Sequence, residues 1–281
     1  IPGTRALQFV NNGDGHFELD CSVFDNGICP LVFGEGSTMT NRGWYNNEDL
    51  PPQEYNQGIA HQYDLNGDGN KDLFNTGNLW LTDNGKFVES HNNLPDFMLS
   101  NLNADGVDVG LFVHDHAVGD LNGDGFADIF MPNTTPVSSQ NNMYKFFMLN
   151  DGNGNFTNTS FEVGHSPYFA TSTTIADFDG DGYGDIALGW SDYAYIDLGG
   201  NSVGGIYWGN AETDYTKDYT ALPPGYYEHN IAFDMQATDI NADGLLDLVI
   251  ANTRGDEYYV GHVLQFLTNN GDRTFDHAAF R

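Results

Sequence analysis

The sequence predicts an all-β protein, a β-propeller of four-stranded antiparallel blades. Three observations carry that expectation. An eleven-residue acidic stretch occurs four times, as "DLNGDGNKDLF" from Asp64, "DLNGDGFADIF" from Asp120, "DFDGDGYGDIA" from Asp177 and "DINADGLLDLV" from Asp239. Each copy is followed by an apolar run, an Asn/Asp/Gly turn and a second β-type run, the mark of a hairpin. The copies begin 56, 57 and 62 residues apart, the length of one four-stranded unit in a radial repeat.

Each unit reads strand, acidic loop, strand, variable link, strand, turn, strand. In the second unit these strands are expected at about 113–119, 126–131, 143–149 and 155–161. The hairpin markers are 79–90, 146–160, a degenerate "IYWGNAETDYT" at 206–216, and 264–277. A solenoid of sandwiched hairpins is the competing architecture, although its repeats are usually shorter.

Taken along the chain, 6–20 carries the hairpin marker without an acidic loop and reads as the outer half of a blade. Residues 21–57, with Pro51-Pro52 and abundant Gly and Asn, read as an insertion or blade connection. Full blades are expected at 58–112, 113–170, 171–231 and 232–281, all within one domain or propeller segment over 1–281. Four blades and a half make an awkward ring, so a missing segment or a neighbouring chain is expected to complete it. The stretch 100–110 resembles a decayed acidic loop.

Numbered from its first Asp, each loop places side-chain oxygens at positions 1, 3, 5 and 9 and glycine at position 6. The sets are Asp64, Asn66, Asp68 and Asp72; Asp120, Asn122, Asp124 and Asp128; Asp177, Asp179, Asp181 and Asp185; and Asp239, Asn241, Asp243 and Asp247. Position 7, namely Asn70, Phe126, Tyr183 and Leu245, would add a backbone carbonyl. Hard cations of calcium type take six to eight such oxygens in a flexible shell, and glycine allows the sharp turn. About four Ca2+ sites are therefore expected. Zinc is disfavoured in these loops because no Cys or His joins the pattern. A helix-flanked calcium loop would place a Glu at position 12, whereas here the last acid is at position 9 and an apolar strand follows at once. Plain Asp/Asn/Gly turns are the bland alternative, and four copies with the same oxygen positions weigh against it.

This pattern resembles the FG-GAP or VCBS repeat family, which includes the calcium-binding blades of integrin α-subunit propellers. "HAVGDLNGDGFADIF" (116–130) and "LNDGNGNF" (149–156) carry the likeness, which extends over about 58–281 and the half-blade. The resemblance implies a calcium in the loop between the first two strands of each blade, with a structural role. It also implies a seven-bladed ring, which the count of repeats here does not reach.

Composition bounds the partners. Forty acidic against nine basic residues give a formal charge of -31, which disfavours nucleic acid and anionic membrane surfaces. Four divalent ions would bring it only to about -23, so a salty or calcium-rich extracellular or cell-surface setting is expected. No run of eighteen apolar residues suggests a membrane span. Cys21 and Cys29 can close a small disulfide loop in an oxidising compartment, or remain two small buried hydrophobes.

Ligand contacts are sought where the repeats differ. His114 and His116, six and four residues before Asp120, would share one side of an inner strand and serve as base, ligand contact or metal pair. Trp44, Tyr45, Tyr226 and Tyr227 are the aromatic candidates for a sugar face, with core packing as the bland alternative. The expected role is a non-catalytic extracellular module that binds carbohydrate or a protein, as lectins with similar repeats imply. The alternative is a polysaccharide lyase on a related propeller. That reaction needs a cation to neutralise the uronate carboxylate, and the chain is poor in cations.

Overall fold

The computed structural model describes residues 9–11, 13, 17–19, 22–23, 61–75, 78–95, 113–132, 145–159, 170–191, 204–226, 230–254 and 260–278. Strands β1 (Phe9–Asn11) and β2 (Phe17–Leu19) form an antiparallel pair. The first four-stranded sheet holds β3 (His61–Tyr63), β4 (Asp72–Asn75), β5 (Asn78–Asp83) and β6 (Lys86–Glu89). The second holds β7 (Ala117–Gly119), β8 (Asp128–Pro132), β9 (Lys145–Asn150) and β10 (Phe156–Thr159). The third holds β11 (Ala170–Ala176), β12 (Asp185–Trp190), β13 (Gly204–Tyr207) and β14 (Tyr219–Ala221). The fourth holds β15 (Asn230–Thr238), β16 (Asp247–Arg254), β17 (Val260–Asn269) and β18 (Phe275–His277). Every sheet is an antiparallel meander in chain order.

The second and third sheets are buried on both faces, which explains their continuous apolar strands. Side chains alternate along β8: Ile129 and Met131 join a core shared with Phe74 and Leu79 of the first sheet, while Phe130 turns the other way. Along β9, Phe146 and Met148 face the first sheet and Phe147 faces Ile186, Leu188 and Tyr207 of the third. The third sheet repeats the division, because Ala187, Ile206 and Trp208 pack on Leu248, Ile250 and Leu267 of the fourth. The sheets thus stack face to face in chain order. Their first strands also meet, β7 against β11 and β11 against β15.

Hydrogen bonds reinforce these seams. Thr171 and Ser172 both donate hydroxyls to the Ala232 carbonyl, at 2.6 and 2.8 Å. A second kind of tie recurs at each seam. The Asn150 amide donates to the carbonyls of Leu65, in the first acidic loop, and Ala127, in its own loop, at 2.8 and 2.9 Å. Asn269 does the same to Phe178 and Leu246, at 2.7 and 3.1 Å. The third sheet has Gly209 at the matching place, where a Cβ would lie 2.5 Å from the Gly184 carbonyl. There the buried Tyr215 hydroxyl donates to Gly184 at 2.8 Å and lies 3.4 Å from the Leu121 carbonyl. The degenerate hairpin of this unit is thus a substitution of one strut for another. It also lengthens the connection, so the fourth strand arrives only at Tyr219.

Most expected strands fall within a few residues of their places. The first strand of the second unit is shorter than expected, opening at Ala117 rather than 113. Cys21, Cys29, Trp44, Tyr45, Tyr227 and the 100–110 stretch lie outside the described residues.

The struts give a direct test. Tyr215→Phe keeps the ring packed but removes the buried hydroxyl's bond to the Gly184 carbonyl, so it should cost about 1–3 kcal/mol in chemical denaturation. Asn269→Ala should cost a similar amount, about 1–3 kcal/mol. Stability unchanged in both variants would show that the seams hold by apolar packing alone.

Candidate metal centres

Each acidic loop connects the first two strands of a sheet and is built by its own side chains. The position-1 carboxylate accepts the N–H of the position-6 glycine: Asp64 from Gly69 at 2.9 Å, Asp120 from Gly125 at 2.8 Å, Asp177 from Gly182 at 3.0 Å and Asp239 from Gly244 at 3.0 Å. Those glycines have φ of 85, 89, 92 and 91°, a region that side chains resist. Position 5 in turn accepts the N–H of position 7, at 2.7 Å in the first loop and 2.9 Å in the others. The first copy shows the electrostatic consequence. The Asn70 N–H is the largest influence on Asp68 and holds its carboxyl below the usual range.

Position 9 plays a separate part. Asp72, Asp128, Asp185 and Asp247 are all fully buried. One oxygen of each accepts the N–H of position 2: Leu65 at 2.7 Å, Leu121 at 2.9 Å, Phe178 at 2.8 Å and Ile240 at 2.9 Å. The other accepts an N–H from the third strand or just beyond its end: Thr82 at 2.7 Å, Asn150 at 2.8 Å, Gly209 at 2.7 Å and Asn269 at 2.8 Å. Each carboxylate thereby clamps its loop to the sheet. Burial pushes the Asp128 carboxyl up to about 6 and that of Asp185 up to about 7, against the opposing pull of their backbone partners. Asp72 is also raised, again chiefly by burial.

A carboxylate oxygen has two lone pairs, so an amide bond leaves one for a cation. The third loop shows the fit. Asp177, Asp179 and Asp185 each offer an oxygen, and the three lie within 4.8 Å of one another. Ligands 2.3–2.6 Å from calcium are separated by no more than about 5.2 Å, so one ion can span them. In the other loops the position-3 residue is Asn66, Asn122 or Asn241. Its amide donates to the position-5 carboxylate at 3.2, 3.0 and 2.9 Å. Asp179 cannot donate. Arg273, from the turn after β17, fills that role: it sits 2.6 Å from Asp179 and 3.8 Å from Asp181 while lying over the Trp208 ring. The extra acid and its cation therefore occur together, on adjacent sheets.

The weaker ligand candidates separate. His114 and His116 do not alternate on a strand, because both precede β7 and a bend falls at His114. His116 is fully buried, and its ring meets His61 edge-on at 4.6 Å. His61, Asp115 and His116 present ligand atoms within 4.8 Å of one another. Comparing positions six and four before the loop passes over His61 and Asp115, which lie three and five before theirs. Tyr226 is 56% exposed and packs against His277 at 5.4 Å. No helix among the described residues is long and apolar enough to cross a membrane.

No curated protein matches the chain. Among solved structures it is similar to an Agrocybe aegerita lectin described as recognising non-reducing terminal N-acetylglucosamine. Identity there is 18% and the TM-score 0.48, over 76% of this chain and 49% of that one. It is also similar to the biofilm matrix protein Bap1 of V. cholerae, at 16% identity and a TM-score of 0.36, over 77% of this chain and 38% of that one. The chain thus spans about half or less of each, and both likenesses are too loose to transfer a site or a role. The family comparison bears on the loops themselves: residues 120–188, from the second acidic loop through the third, match the model of the FG-GAP-like repeat. The chain therefore carries an FG-GAP-like repeat at 120–188, and its first and fourth acidic loops are built on the same hydrogen-bond plan.

Proposed function

We propose that the chain is a calcium-stabilised β-propeller, or a segment of one, acting outside the cell as a non-catalytic binding or adhesion module. Its partner on this reading is a carbohydrate or an extracellular protein. The observation that carries the proposal is the fourfold recurrence of one oxygen-lined loop with matching internal bonds. Loops with this many oxygens suit calcium, and extracellular modules use such sites at 10⁻⁴–10⁻³ M. Face-to-face sheets with adjoining first strands are the packing expected of neighbouring blades. In such scaffolds, recognition sits on the connecting loops.

The state of Arg273 removes one cation from lyase chemistry. A lyase would need a free cation at the substrate carboxylate, and Arg273 is committed to Asp179, Asp181 and Asp218. A glycan array read with and without calcium tests the role. Calcium-dependent binding to a defined glycan supports it, whereas steady release of unsaturated product from uronate polysaccharides would replace it with the lyase.

Calcium removal should lower the melting temperature, because each site filled at about 100 times its dissociation constant adds about 2.7 kcal/mol to stability. Asp177→Asn should remove part of that gain. A calorimetric melt unaffected by excess chelator would overturn the calcium reading.

The pH response should invert with the ion. In the chelated chain, Asp128 and Asp185 hold protons more tightly when folded than when unfolded. Their contribution is fully present below the unfolded carboxylate pKa of about 4 and is lost as pH rises through about 6 to 7. The chelated protein should therefore melt higher at pH 5 than at pH 8. With saturating calcium the carboxylates must be ionised to act as ligands, so the order should reverse. A chelated melt that falls steadily on acidification would contradict the assignment.

A further inference from the structure

We propose that His61, Asp115 and His116 form a transition-metal site of zinc type, with three protein ligands and one open position. The cluster joins sheets. His61 opens β3 in the first sheet, and Asp115 and His116 lead into β7 in the second. The Asp115 carboxylate is buried and held in place. One oxygen accepts the backbone N–H of His116 at 2.8 Å, and the other accepts the backbone N–H of Thr173, from β11 of the third sheet, at 2.9 Å. His61 Nε2 lies 3.6 Å from the first of these oxygens.

The second observation is independent of that clustering. His116 is wholly buried, yet neither of its ring nitrogens has a hydrogen-bond partner among the described residues, and the same holds for His61 Nε2. A buried polar atom without a hydrogen bond costs about 1–3 kcal/mol, and His61 Nε2 and one ring nitrogen of His116 lie together beside the Asp115 carboxylate. A metal ion would satisfy His61 Nε2 and one ring nitrogen of His116 together.

Geometry and donor type agree on the class. Two ligands at about 2.0–2.1 Å in a tetrahedral zinc site are about 3.3 Å apart. The His61–Asp115 separation is near that value already, and the full set, within 4.8 Å, closes with small side-chain rotations. Imidazole nitrogen selects zinc, copper or nickel over calcium, so this site differs in kind from the all-oxygen loops. Burial, reinforced by neighbouring His61, holds the His116 pKa well below its ordinary value, which keeps the ring in the neutral form that binds metal. His61 is partly exposed, at 24%, although its Nε2 is buried with the rest of the cluster, so the fourth position suits a small ligand such as water.

The test uses the whole chain, stripped with chelator and returned to saturating calcium so that the oxygen loops are filled. Zinc titration followed by elemental analysis should give one zinc per chain. Cobalt(II) in its place should show the visible absorption of a low-coordinate nitrogen-containing site. His61→Ala, at a partly exposed position, should keep the calcium-dependent melt while binding zinc at least about tenfold more weakly. Asp115→Asn should weaken zinc similarly. The proposal is overturned by negligible zinc uptake, by uptake that His61→Ala leaves unchanged, or by a cobalt spectrum of six oxygen ligands. The calcium melt is read separately, so failure here is distinguishable from failure of the calcium loops.

Discussion

The buried aspartate at the ninth position of each acidic loop is the interaction on which the rest of the architecture depends. It is an expensive group to place inside a protein, and each copy is tolerated because both oxygens meet backbone N–H groups. Those donors come from opposite ends of the sheet unit. One follows the first aspartate of the loop; the other lies at or just beyond the end of the third strand. A single side chain thus fixes where the loop turns and where the third strand stops. The more exposed oxygens at 1, 3 and 5 are placed by bonds within the loop itself.

Stacking follows from the same arrangement. Once loop and third strand are locked, Asn150 or Asn269 at the strand's end reaches the preceding loop, and in the third sheet Tyr215 does so from the longer connection after β13. Apolar alternation along β8, β9, β12 and β13 then supplies a core for two seams from one sheet. The polar contacts set register and the apolar ones supply most of the driving force, a division consistent with the modest net value of single hydrogen bonds.

Much of this was legible in the sequence because the repeat is local. Four copies of one spacing identified the loops, their oxygen positions and the hairpins, including the short "NDGNGNF" turn. What local pattern could not disclose was pairing across sheets. The ninth aspartate reads as one more ligand until its two amide partners are known. Tyr215 looked like part of a decayed hairpin, yet it replaces an asparagine that Gly209 cannot provide. His61 is separated by more than fifty residues from Asp115 and His116, and only the meeting of β3 with the segment before β7 joins them. Arg273 and Asp179 are similarly distant, although the lone Asp at position 3 was a signal that something cationic should be near.

The struts all point one way along the polypeptide. Asn150 reaches back to Leu65, Tyr215 to Leu121 and Asn269 to Phe178, so a loop acquires its last bond from a segment made later. During synthesis on a ribosome, each unit would emerge with that carbonyl still hydrated, and the following unit would expel the water as it docks. At these three ties the later unit completes the earlier one, like a tile laid over the edge of its neighbour.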